Sequence, residues 1–168
     1  PMAKAITKRT LLGYAKGKVN AHCFDDLINT MKNKPEQFRK RVLRGKFWGK
    51  GVIEMKFDAI VGNPPYMSFL GGMSSQPIYQ YFMNQAVSME PDYISMITPA
   101  RWMTATSGTL TKYRDVLLSD KRMVKLFDFQ DASSCFSNVE IKGGVCYYLW
   151  DKSHYGDCYI LSDDGMGN

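Results

Sequence analysis

Residues Phe57–Tyr66 read FDAIVGNPPY, and the fold turns on how that stretch is read. Its first six residues are short, largely apolar and partly β-branched, and turn formers bound them. That is the pattern of a strand buried on both faces of a parallel sheet. The next three residues cannot continue the strand. Pro64 and Pro65 lack backbone N–H donors and hold φ at about −65°, while Asn63, preceding proline, is pushed toward extended geometry. The strand therefore ends in stiff backbone that fixes one amide side chain, its carbonyl oxygens and the Tyr66 ring, as a site must.

Outward from this stretch the chain alternates. The spacing of Ile78, Phe82, Gln85, Ala86 and Met89 predicts an amphipathic helix that stops before Pro91. Tyr93–Thr98 reads as a second strand, and Leu110–Ser119 as a second helix with Leu110, Tyr113, Leu117 and Leu118 on its inner face. Met123–Phe129 and Gly144–Trp150 are a third and a fourth strand, without a helix between them. This order implies an α/β fold with a mostly parallel, Rossmann-like sheet and one terminal antiparallel strand. Residues 67 to 77 and 131 to 138 read as loops.

Upstream, residues 1 to 54 form a basic, partly irregular segment. Val19–Ile28 suggests a short strand entering a helical turn, Pro35 starts a helix at the position proline favours, and Gly45, Gly49 and Gly51 break it. The net charge of +6 is concentrated here, with a cluster from Arg39 to Lys50, and such a basic arm points to polyanions as much as to a solvated surface. At 168 residues one domain is expected. No apolar run approaches the roughly 20 residues of a membrane span, and no secretory leader is evident. Cys23, Cys135, Cys146 and Cys158 contain no C-x-x-C pair and have only His22 and His154 to join them. Neither a metal site nor a disulfide framework is expected, and a reducing cytoplasm fits.

Ligands of open α/β sheets bind at the carboxyl ends of strands, where Asn63–Tyr66 and Pro99–Trp102 both fall. An amino group on an aromatic base is a poor nucleophile because its lone pair is delocalised into the ring. The Asn63 side-chain oxygen and the Pro64 carbonyl would accept its two N–H bonds. They would thus favour a nitrogen turning tetrahedral and gaining positive charge. Tyr66 would stack on the base, extruded from its duplex, for ~1–3 kcal/mol. The plainer reading, a turn after a strand, accounts for Asn-Pro-Pro-Tyr alone but not for the whole ten-residue stretch.

That stretch resembles the catalytic motif of adenine-N6 DNA methyltransferases of restriction-modification systems. Pro77–Met89 (PIYQYFMNQAVSM) is similar to the helix after that motif, Tyr93–Met103 (YISMITPARWM) to the next strand, and Val139–Asp151 (VEIKGGVCYYLWD) to the last hairpin of the catalytic domain in large fused type II methylases. The resemblance implies catalysis by Asn63, Pro64, Pro65 and Tyr66. It also implies S-adenosyl-L-methionine as methyl donor, double-stranded DNA with a flipped adenine as substrate, no metal, and the cytoplasm of a prokaryote. Asn63 and Pro77 would meet the cofactor, and so would Asp25, for which helix capping is an equal alternative. Phe136 would be a second contact to the base or a core residue. Arg101 and Lys142 would touch DNA, Trp102 and Tyr79 would line the site or simply pack, and Asp58 would support its strand.

The resemblance also marks a departure, for the family's Gly-rich cofactor loop after a first strand has no counterpart. Residues 55 to 168 are therefore expected to be the second half of a catalytic domain, completed by the remainder of the methyltransferase chain or by a partner subunit, with target reading beyond Asn168. A protein-glutamine or RNA methyltransferase and an inactive nucleic-acid-binding fragment are the alternatives.

Overall fold

The computed structural model describes residues 17–68, 75–106, 108–136 and 140–163. These fall into two compact units that meet in sequence between Met55 and Lys56. In the first, α1 (Leu27–Asn33) is followed at once by α2 (Pro35–Val42), with Pro35 in the first turn, and then by a 3-10 turn over Gly45–Trp48. Val19–Ile28 contains no strand. Its expected β character yields to an aromatic cluster in which Phe24 packs against Phe38 and Phe47.

The second unit carries the sheet. Its elements are β1 (Ala59–Gly62), β2 (Met67–Ser68), β3 (Gln76–Pro77), α3 (Tyr79–Ser88), β4 (Tyr93–Pro99), α4 (Thr109–Ser119), β5 (Met123–Phe129), β6 (Val145–Asp151) and β7 (Tyr159–Asp163). Five strands pair in the order β1-β4-β6-β5-β7. Four run in one direction, and β6 alone opposes them, pairing with β4 on one side and β5 on the other. The α/β, mostly parallel character expected of the sequence is thus present. The antiparallel strand lies inside the sheet rather than at its rim, paired with both of the strands β4 and β5 that precede it.

Packing fixes which face is buried. Along the pairing register Ile94, Trp150 and Met123 form one row and Met96, Tyr148 and Leu126 the next. All six are buried with Tyr79, Met83 and Ala86 of α3 and Tyr113 and Leu117 of α4. Removing any of the larger of these side chains from water is worth roughly 1.5–3 kcal/mol. The helix faces turn slightly from those read in the sequence: Tyr79 and Met83 lead α3 inward, and Leu118 of α4 is 65% exposed. The first strand departs most. It is four residues long and lies at the edge of the sheet, and Val61 is 78% exposed. Burial on both faces does not hold for the described residues: Ala59 and Val61, which share one face, are exposed, while Ile60 and Gly62 are half-buried.

Candidate active site

The carboxyl ends of β1, β4, β5 and β7 share one edge of the sheet, where Pro99, Val145, Phe129 and Asp163 stand in a single cross-strand row. Asn63–Tyr66 emerges beside this row. Asn63 is exposed and its amide makes no hydrogen bond to the described residues, whereas Pro64 is buried. One proline thus anchors the backbone while the preceding amide stays available, the arrangement that the two prolines predict.

Tyr66 is half-buried against the core. Its carbonyl accepts from the Ile78 amide at 3.1 Å, and its hydroxyl is buried without a hydrogen-bond partner among the described residues. Burial, reinforced by the nearby Cys146 and Cys135 thiols, pushes this phenol up to about 12. It is a neutral ring at physiological pH, suited to stacking rather than proton transfer.

The segment read as one loop after the tetrapeptide contains an antiparallel ladder. Met67 of β2 lies opposite Pro77 of β3, so Pro77 abuts the tetrapeptide. Gln80, buried in the first turn of α3, donates from Nε2 to the Pro77 carbonyl at 2.8 Å and so pins it. The sequence reading passed over Gln80; an amide three residues past a proline at a helix start was the available signal.

Under this edge lies a buried polar hub. The Cys146 thiol accepts from Trp102 Nε1 at 3.3 Å and lies 3.6 Å from Thr98 Oγ1. Burial pushes it up to about 11, against the pull of those two hydrogen bonds. Tyr79, fully buried, has a hydroxyl without a partner among the described residues; burial and Cys146 raise its pKa and Arg101 opposes them. Tyr113 and Tyr148 close the hub with hydroxyls 3.4 Å apart. Asp128 stands opposite Cys146 in the register, and burial raises its carboxyl above the ordinary value. Trp102 and Tyr79 are thus packing residues.

All the expected site residues except Asp25 lie in the second unit. Arg101 follows β4 in a 3-10 turn, is exposed, and rests against Gly143, next in the chain to Lys142, which is also exposed. Phe136 is half-buried in the turn after β5, one residue beyond the Cys135 that acts on Tyr66. Asp25 belongs to the other unit, exposed at the turn before α1. The helix cap considered for it falls on its neighbour Asp26, whose side chain accepts from Asn29 instead of from a backbone amide. Asp58 supports the sheet through its carbonyl, which accepts from the Tyr93 amide at 2.9 Å.

Comparison with known proteins extends this picture. A family model described as Eco57I restriction-modification methylase matches residues 1–136. An uncharacterized adenine-specific methylase of Mycoplasma pneumoniae (strain ATCC 29342 / M129 / Subtype 1) is 39% identical over 110 residues, 63% of this chain and 26% of that protein. A chain from a structure described as "Structural basis underlying complex assembly and conformational transition of the type I R-M system" superposes with a TM-score of 0.50 at 13% identity. That superposition covers 67% of this chain and 26% of the other, and bears on fold alone. The chain spans about a quarter of the length of both relatives.

Proposed function

The chain belongs to the Eco57I restriction-modification methylase family, and from that premise we propose that it carries the base-receiving half of a site that methylates adenine N6 in double-stranded DNA. The observation that supports this most is the exposed Asn63 amide next to an anchored Pro64, with the half-buried Tyr66 ring two residues on. Asn63 Oδ1 and the Pro64 carbonyl accept the two N–H bonds of the adenine amine. Both are acceptors fixed before the reaction, so they favour the nitrogen as it becomes tetrahedral and positive. Tyr66 stacks on the flipped base. The exocyclic nitrogen would form its new bond to the methyl carbon as that carbon's bond to the donor sulfonium breaks, the bonding pair leaving with sulfur as a neutral thioether, and would afterwards lose a proton to water.

S-adenosyl-L-methionine, when bound, supplies that methyl carbon activated by a sulfonium. Asn63 and Pro77, the latter brought next to the tetrapeptide by the β2–β3 ladder, would form part of its site. The remaining contacts come from further methyltransferase chain or a partner subunit. Arg101 and Lys142, neighbours through Gly143, meet the DNA backbone, and Phe136 flanks the base.

The test incubates the longest product of this reading frame with tritiated S-adenosylmethionine, duplex DNA, RNA and protein together, and then resolves the modified nucleosides by mass spectrometry. N6-methyladenine in DNA is the expected product, and Asn63→Ala lowers its rate by about 10²–10³, the usual effect of deleting one preorganised group. Label in protein glutamine or RNA, or an unchanged rate in the variant, overturns the reading.

A further inference from the structure

Residues 27 to 54 hold eight lysines and arginines against two acids, Glu36 and Glu54, so the entire net charge of +6 resides in this stretch and the rest of the chain is balanced. Glu36 is taken by Arg39. Lys40, Arg41, Arg44, Lys46 and Lys50 are all exposed, and none forms an ion pair with a described residue. Such crowding of one sign opposes compactness, yet the backbone that carries it is firmly built.

Met55 N donates to Leu43 O, Gly45 N to Ile53 O and Lys50 N to Gly45 O, closing residues 43 to 55 into one loop. A side chain at Gly45 would meet Val52 O at 1.9 Å, so the loop is packed on itself there. Trp48 Nε1 donates to Val42 O at 2.6 Å and ties the loop to α2. The Arg41 guanidinium is held over the Phe24 ring at 5.0 Å and the Phe47 ring at 5.4 Å. Its charge is placed without being neutralised.

We propose that α2 and this loop form a phosphate-binding module for the backbone of duplex DNA, carried by the first unit and indifferent to sequence. The proposal rests on the reading that the chain acts on DNA. It adds Lys40, Arg41, Arg44, Lys46 and Lys50 as the residues that hold the duplex. Duplex DNA presents one negative charge per about 1.7 Å of axis, a density that a cluster of five cations on a fixed scaffold matches and that a small anion does not.

The experiment measures fluorescence anisotropy of a labelled dG·dC duplex with the whole chain, without methyl donor, across a salt series. Five phosphate contacts predict a log–log salt slope of about 4 to 5, and thus a loss of about 500-fold between roughly 50 and 200 mM salt. Lys40→Gln with Arg44→Gln and Lys46→Gln lowers the slope to about 2 and weakens binding at least about tenfold at low salt. Arginine at Lys40, Lys46 and Lys50 retains it, and so does the wild-type scaffold carrying Lys112→Gln and Lys125→Gln in the sheet unit.

No binding by wild type, an unchanged slope in the triple variant, an equal loss from the Lys112 and Lys125 changes, or tenfold preference for duplex RNA would each overturn the module. Because the probe contains no adenine and no cofactor is added, the result stands or falls independently of methyl transfer.

Discussion

Replacing Gly144 by alanine perturbs the edge of the site through backbone alone. Gly144 sits at φ +71°, and a Cβ there would lie 2.0 Å from the Phe129 carbonyl oxygen and 2.9 Å from Gln130 Cα. Neither neighbour is a side chain that can swing aside. Left-handed backbone costs an L-residue roughly 1–2 kcal/mol. Displacing packed structure to admit the methyl adds roughly 1–3 kcal/mol. The bond from Ala100 N to Gly144 O, 3.1 Å long, is also at stake, for about 1 kcal/mol. The total is about 3–6 kcal/mol. Gly143 is the internal control, since it too has positive φ, at +85°, but its Cβ would meet only Arg101 Cγ at 2.9 Å. That flexible side chain can move, leaving the backbone cost of roughly 1–2 kcal/mol. Urea unfolding followed by circular dichroism reads both variants. A difference under about 1 kcal/mol between them would refute the reasoning, because it would mean that the contact with the Phe129 carbonyl does not confine the turn.

Tyr66→Phe removes a hydroxyl that is buried without a partner among the described residues, so we expect stability unchanged or raised by up to about 1 kcal/mol and methyl transfer within a few-fold of wild type. Tyr66→Ala loses the ring and most of the activity, and a phenylalanine variant as inactive as the alanine one would show that the hydroxyl matters. Cys146, fully buried with its thiol pushed up to about 11, should resist iodoacetamide in the native protein while the exposed Cys23 is alkylated; peptide mapping that finds both labelled at equal rates contradicts the packing. Asp120 is half-buried, which alone would raise its carboxyl, but hydrogen bonds from Arg122 and Trp150 outweigh that and hold it below its ordinary 3.8. With a depressed native pKa the contribution is fully present above about pH 4 and lost as pH falls through the lower native value. Thermal midpoints of wild type should therefore fall faster than those of Asp120→Asn in that acid window, and parallel curves would exclude the ion pair as a stabilising contact.

The sequence made the strands legible where composition is decisive. Met123–Phe129 is found residue for residue, and the aromatic, branched run up to Trp150 is the strand β6, shifted by one residue. Periodicity also located both sheet-packing helices to within a residue at the ends. It misjudged their rotation because a partner's shape, not the spacing alone, decides whether Tyr79 or Phe82 turns fully inward. Strand order was beyond reach for a related reason. Nothing in residues 145 to 151 announces that they insert between β4 and β5; that arises from a tight return across Gly143 and Gly144, where only a residue without Cβ fits against the Phe129 carbonyl.

The candidate site shows the same division between chain-local and tertiary information. Asn63–Tyr66 could be read because proline stiffness and strand termination are written in adjacent residues. The hub beneath it could not. Cys146 is 48 residues from Thr98 and 44 from Trp102, and the sheet register alone sets Asp128 opposite it. The thiol and phenols under the tetrapeptide have a consequence for function: none of them is poised to take a proton at neutral pH, since burial raises Cys146 and the hub's phenols well above that range. On the function proposed above, Asn63, Pro64 and Tyr66 act by presenting acceptors and a stacking surface, which matches a reaction whose proton leaves to water after the new bond has formed.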